Sequence, residues 1–317
     1  MKNPLKNRSL LTLFDYTDKE IRYLLDISLK VKQEKKAGKL YKRFAGKSLA
    51  MLFEKRSTRT RCAFETAFGE DGGHPVFLGM EDIQLGKKES IEDTARVLGR
   101  MFDAIEFRGF KQTTVETLSQ YSGVPVYNGL TDQYHPTQAL ADVLTVEEYT
   151  GALKGKKIAF LGDGRNNVAT SLLIISAKMG VKISIVCPSE LTPNKDVVKR
   201  CEEIALSTES NIEVTDDIEG GLKNSDAVYT DVWASMGEEA KMQERMALLS
   251  PYRVTTELMS ATGKASSIFL HCLPAVKGNE VTHEVIEGNQ SAVWDQAENR
   301  KHTIKALMLA TLLDNPV

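Results

Sequence analysis

Residues 48–61, Ser48-Leu49-Ala50-Met51-Leu52-Phe53-Glu54-Lys55-Arg56-Ser57-Thr58-Arg59-Thr60-Arg61, decide the fold. An apolar run of strand length breaks into a charged, hydroxyl-rich turn. The turn opens a helix whose Ala63, Phe64, Ala67 and Phe68 share one face. This is the first half of a βα unit, and the same rhythm repeats along the chain. Further strands are expected at Pro75–Leu78, Ala104–Arg108, Val124–Tyr127, Lys157–Leu161, Lys182–Val186, Ile212–Val214, Ala227–Thr230 and Ser267–His271. Helices fill the gaps, for example Ser90–Met101, Thr137–Tyr149 and Asn167–Met179. Apolar strands alternating with helices read as an α/β fold built on parallel sheets. The segment Thr150-Gly151-Ala152-Leu153-Lys154-Gly155 follows a long helix and precedes a strand, so the domains are expected as 1–150 and 151–297. A last helix, about 298–317, is expected to pack back on the first.

The chain has 317 residues, enough for about two domains at roughly 150 residues each. Lys and Arg number 41 against 43 Asp and Glu, a net charge of −2, which argues against a general nucleic-acid binder. Hydrophobic residues are 42% and charged residues 26%, an ordinary globular balance that excludes disorder. The longest charge-free stretch, Thr117–Thr131, carries Gly123, Pro125 and Gly129, so no membrane span is expected. The first residues lack a signal-peptide apolar core. Cys62, Cys187, Cys201 and Cys272 are too irregularly spaced for a disulfide frame or a zinc cluster. The sequence therefore reads as a reduced, soluble, cytoplasmic protein.

Candidate chemistry lies where strands end. In Ser57-Thr58-Arg59-Thr60-Arg61, hydroxyls, guanidiniums and the free N–H groups of a helix start suit a phosphate; the bland reading is a capped basic helix end. The stretch is not a Walker loop, since no Gly-Lys-Ser/Thr closes it. In His135-Pro136-Thr137-Gln138, proline favours the first helical position and brings His135 to the cap beside Gln138. The helix dipole would hold that imidazole neutral, ready to donate to a carbonyl oxygen gaining charge. Arg108 ends a strand and faces the crevice where open α/β sheets bind ligands, unless it is simply paired with an acid. Gly162-Asp163-Gly164-Arg165-Asn166-Asn167 is a dinucleotide-like turn without its third glycine, and Asn167 could be a plain cap or an amide contact. Asp231, at another strand end, suits an ammonium group, and Ser235-Met236-Gly237 reads as a mobile loop. In His271-Cys272-Leu273-Pro274, Cys272 is a nucleophile, a polar contact or a buried small residue. A metal held by His271, Cys272 and His283 has the wrong spacing for structural zinc.

Five motifs occur in order: Ser57-Thr58-Arg59-Thr60-Arg61, Phe107-Arg108-Gly109, His135-Pro136-Thr137-Gln138, Asp231-Val232-Trp233-Ala234-Ser235-Met236-Gly237-Glu238 and His271-Cys272-Leu273-Pro274. On these the sequence resembles the carbamoyltransferase family over essentially its entire length. The first three are shared by the wider family; the Ser–Met–Gly loop and His-Cys-Leu-Pro point to the ornithine branch. Aspartate-specific members usually read His-Pro-Leu-Pro and lack that loop.

The resemblance implies two α/β domains, each with a mostly parallel sheet flanked by helices, and terminal helices crossing between them. It implies a homotrimer or a larger assembly of trimers, with no cofactor and no metal. The activity implied is transfer of the carbamoyl group of carbamoyl phosphate to the side-chain amine of L-ornithine, or the reverse in arginine breakdown. Ser57, Thr58, Arg59, Thr60 and Arg108 would hold the phosphate. Arg108, His135 and Thr60 would point at the carbonyl oxygen; Gln138 and the backbone of Cys272 and Leu273 would take the amide. Arg300 resembles the late arginine that joins this site, and Gln84 would reach into a neighbouring subunit. Asn167, Asp231, Ser235 and Met236 match ornithine-binding positions, and Cys272 with Asp231 would orient the amine. Lys87 and Lys88 depart from the ornithine pattern, since a lysine in this loop is an aspartate-branch feature. Rival readings are a putrescine or aspartate carbamoyltransferase and, from another class, a dinucleotide-binding oxidoreductase.

Overall fold

The computed structural model describes residues 3–83, 88–233 and 242–316. The chain divides into two compact units, one made of 1–141 with 299–317 and the other of 142–298.

The first unit holds α1 (Asp18–Lys36), β1 (Ser48–Phe53), α2 (Thr58–Gly69), β2 (His74–Gly79), α3 (Ile91–Met101), β3 (Ala104–Arg108), α4 (Gln112–Ser122) and β4 (Val126–Leu130). The start of α5 (Pro136–Thr150) and most of α12 (Val293–Leu312) also belong to it. Its four strands are all parallel in the order β2-β1-β3-β4. Alternation along the strands gives each face its own set. Ala50, Leu52, Ile105, Phe107 and Val126 pack with Ala95, Leu98, Val115 and Leu118 of α3 and α4. Each Val, Leu, Ile or Phe among these contributes about 1.5–3 kcal/mol on burial, and truncating Phe107 would cost about 3–5 kcal/mol.

The second unit holds β5 (Lys157–Leu161), α6 (Asn167–Met179), β6 (Lys182–Val186), α7 (Lys195–Thr208), β7 (Ile212–Thr215), α8 (Ile218–Leu222), β8 (Ala227–Thr230), α9 (Met242–Leu249), α10 (Thr256–Ala261), β9 (Ile268–His271) and α11 (His283–Ile286). Its five strands are again all parallel, in the order β7-β6-β5-β8-β9.

Sheet order locates the functional ends. After β1 the chain crosses to β2 on one side, whereas after β3 it moves to β4 on the other. The same reversal separates β5 from β8. At such a switch point the outgoing loops part and leave a crevice beyond the strands' carboxyl ends.

Two boundaries differ from expectation. Strand β4 runs Val126–Leu130 rather than Val124–Tyr127. Asn128-Gly129 looks like a turn, yet the Asn128 amide donates to the Leu11 carbonyl at 2.8 Å and is buried in the strand. The last helix begins at Val293, five residues early, because buried Val293 and Gln296 anchor its first turn.

Candidate functional site

In the first unit, β1 ends and α2 begins at Ser57, whose hydroxyl accepts from the Thr60 backbone N–H at 3.2 Å. Thr60 is buried one turn into the helix and collects two cations. Arg108, at the end of β3, donates Nη1 to its Oγ1 at 3.1 Å. Arg300, from α12, donates Nη2 to the same oxygen at 3.3 Å. A threonine hydroxyl has two lone pairs and one proton. With both lone pairs facing guanidiniums, the proton is what remains to offer a ligand.

Arg300 also donates to Gln138 Oε1 at 2.7 Å and to Thr137 Oγ1 at 3.4 Å. Thr137 Oγ1 lies 3.5 Å from His135 Nδ1. One buried cluster thus joins Thr60, Arg300, Thr137, Gln138 and His135 to half-buried Arg108. His135 is held well below the usual imidazole range, first by burial and then by Arg300, Arg108 and Arg59. The expected neutrality has a different cause from the helix dipole: desolvation and three guanidiniums disfavour the cation. Thr58 stands exposed at the first position of α2, and Arg59 is half-buried beside it.

A residue the sequence reading missed is Glu106, two positions before Arg108 on the same face of β3. It is fully buried, and neither carboxyl oxygen has a hydrogen-bond partner among the described residues. The available signal is a carboxylate inside an otherwise apolar run of a strand buried on both faces.

In the second unit, β5 leads into Gly162, whose φ of 134° only glycine adopts readily. A Cβ on Gly164 would lie 2.8 Å from the Leu191 carbonyl and 2.9 Å from Pro193. Neighbouring atoms therefore leave room at this turn for glycine only. The cap of α6 is Asn166 rather than Asn167: its Oδ1 accepts from Val168 N–H at 2.6 Å. The Asn166 amide then donates to Asp231 Oδ2 at 2.8 Å. Asn167 is the first helical residue, half-buried beside it.

Asp231 follows β8 and also accepts from the Cys272 thiol at 3.0 Å and from Val232 N–H at 2.8 Å, both on Oδ1. Cys272 follows β9 in a turn held by its neighbours. Leu273 has φ of 60°, a left-handed conformation costly for leucine. Its N–H donates to His271 Nδ1 at 2.8 Å, and His271 Nε2 faces Glu280 Oε1 at 3.1 Å. Because Nδ1 accepts, Nε2 carries the proton.

The ligand atoms of Asp231, His271 and Cys272 lie within 4.8 Å of one another, with Asp231 where the sequence reading put His283. In this structure these side chains satisfy one another: both His271 nitrogens are committed to Leu273 and Glu280, and the Cys272 thiol donates to Asp231. All four cysteines are free: Cys62 is exposed, Cys187 and Cys201 are buried, and Cys272 is half-buried. Gln84, Lys87, Ser235 and Met236 lie outside the described residues.

Two family models match the chain. Residues 8–148 match the aspartate/ornithine carbamoyltransferase carbamoyl-P binding domain. Residues 154–311 match the Asp/Orn binding domain of the same family. Ornithine carbamoyltransferase of Caldanaerobacter subterraneus is 66% identical over 98% of this chain and 99% of its own. A catabolic ornithine carbamoyltransferase of Bacillus licheniformis is 53% identical, covering 98% of each chain. The solved ornithine carbamoyltransferase of Pyrococcus furiosus superposes with a TM-score of 0.94 at 44% identity, over 97% of this chain and 98% of that one.

Proposed function

This chain belongs to the aspartate/ornithine carbamoyltransferase family, and we propose that its two α/β units divide the work, the first gripping carbamoyl phosphate and the second presenting L-ornithine. It transfers the carbamoyl group of carbamoyl phosphate to the side-chain amine of ornithine, giving citrulline and phosphate. In functional terms the carbamoyl-phosphate domain is 1–150 with the helix of about 298–317, and the ornithine domain is 151–297.

One observation carries the roles: Arg108 and Arg300 converge on the Thr60 hydroxyl beside a neutral, buried His135. Ser57, Thr58, Arg59, Thr60, Arg108 and Arg300 hold the phosphate. Thr60, Arg108 and His135 meet the carbonyl oxygen, which gains charge when the amine adds to carbon. Gln138, with the backbone of Cys272 and Leu273, takes the amide, and Gln84 completes the site from a neighbouring subunit. A donor preorganised on such an oxygen is typically worth about 2.7–4 kcal/mol. Neutral His135 can donate there without adding a fourth cation.

Asp231, oriented by Asn166 and Cys272, receives the amino-acid substrate together with Asn167, Ser235 and Met236. An alkyl ammonium resembling lysine has a pKa of ~10.4, so freeing the amine at about pH 7.4 costs about 4 kcal/mol. The amine lone pair forms the new C–N bond and the bond from carbon to phosphate oxygen breaks. The departing phosphate accepts the proton shed by nitrogen. Reversal uses the same groups.

The smallest assembly under this reading is a homotrimer, the compartment is the cytoplasm, and no cofactor enters. No helix among the described residues is long and apolar enough to cross a membrane. Purified protein given carbamoyl phosphate with ornithine, aspartate or putrescine in parallel should form a carbamoylated product with ornithine alone. Turnover of aspartate or putrescine in place of ornithine would overturn the assignment, and sedimentation checks the trimer.

A further inference from the structure

The mechanism above leaves Glu106 without a role, although its carboxyl is fully buried. A carboxylate buried without hydrogen bonds is strongly disfavoured unless it keeps its proton or finds a cation. Both oxygens of Glu106 are in that state. Space is reserved for it: a Cβ on Gly129 would lie 2.0 Å from Oε1, so only the bare glycine of β4 lets the carboxyl sit there. The same point is 3.1 Å from the Thr60 methyl, which makes Glu106 a close neighbour of the threonine that joins the two guanidiniums.

We propose that Glu106 is a positioning residue of the carbamoyl-phosphate site that couples anion binding to a proton: neutral while phosphate is bound, it leaves the charge of Arg108 and Arg300 to the anion, and ionised it takes part of that charge away. The proposal rests on the assignment of this cluster to phosphate. The groups facing Glu106 are Arg108 on its own strand and Arg300 from α12; α2 presents the Thr60 methyl and β4 presents Gly129. Arg108 donates to Thr60, and Arg300 to Thr60, Thr137 and Gln138, while neither Glu106 oxygen takes a hydrogen bond among the described residues. Burial drives its carboxyl well above the ordinary range, and the two arginines oppose that without reversing it. An arriving dianion favours the proton further. By reciprocity, keeping the proton favours the anion.

The test is calorimetric titration of inorganic phosphate into the full-length protein and into Glu106→Gln, in buffers of different ionisation enthalpy. Wild type should take up more protons per bound phosphate than the variant. The variant's advantage in affinity should grow as the pH rises, by about threefold or more across the range in which wild-type proton uptake is largest. Equal proton counts and an affinity ratio flat with pH would overturn the proposal. If Glu106→Gln does not fold, difference infrared spectra of wild type with and without phosphate decide the matter. A protonated carboxyl band that responds to phosphate supports the coupling, and its absence refutes it. Wild type that binds no phosphate and forms no citrulline takes down the function assignment as well. Normal citrulline formation with matched titrations removes Glu106 alone.

Discussion

Thr60→Val is the most incisive single change because it swaps a hydroxyl for a methyl of nearly equal size. The hydroxyl accepts from Arg108 at 3.1 Å and from Arg300 at 3.3 Å, so its own proton is the group left for substrate. Valine keeps the packing of α2 against the sheet and removes all three polar functions together. Losing one donor on a carbonyl oxygen that becomes charged costs about 3 kcal/mol, or roughly 10²-fold in kcat. The folded state loses less. Arg300 keeps Gln138 and Thr137, and half-buried Arg108 can turn toward water, so destabilisation should be about 1–2 kcal/mol. Thr60→Ser retains the hydroxyl and should stay within about tenfold of wild type. Steady-state citrulline formation at varied carbamoyl phosphate separates kcat from KM, while circular dichroism reports folding. A folded Thr60→Val enzyme with kcat within threefold of wild type would show that this hydroxyl does not touch the reacting oxygen.

Arg108→Gly should lower kcat by about 10²–10³-fold with little change in ornithine affinity, read by kinetics alongside direct binding. Because His135 binds fewer protons folded than unfolded, stability should rise with pH through the window up to the unfolded value near ~6.5. Acidification below that point should therefore destabilise wild type more than His135→Asn, which urea titration at several pH values checks. Asn166→Ala removes both a helix cap and the amide on Asp231. It should cost about 1–2 kcal/mol in thermal unfolding and raise the KM for ornithine more than that for carbamoyl phosphate.

The fold was legible because parallel strands buried on both faces announce themselves as apolar runs, and all nine runs named from the sequence became strands. What escaped were features decided at long range. Asn128-Gly129 has the local chemistry of a turn, and only the need to seat Glu106 and to pair Asn128 with Leu11 makes it strand. Thr60, Arg108, His135 and Gln138 were named from motifs and Arg300 from the family resemblance, and they form one cluster in the first unit. The neutrality of His135 was expected but its cause could not be read, since it comes first from burial and then from guanidiniums of α12, β3 and α2. Asn166 and Asn167 are indistinguishable as neighbours in a string; backbone geometry alone makes the first the cap and the partner of Asp231.

The cysteines have a practical corollary for anyone wishing to tag the enzyme. Burial pushes the Cys187 thiol up to about 11 and the Cys201 thiol up to about 12, which leaves little thiolate for an alkylating dye. Cys272 lends its hydrogen to Asp231 in a recessed turn. Cys62 is left as the natural attachment point for a fluorophore, and its place on α2 two residues from Thr60 would make the emission a local reporter of whether the proposed phosphate site is full or empty.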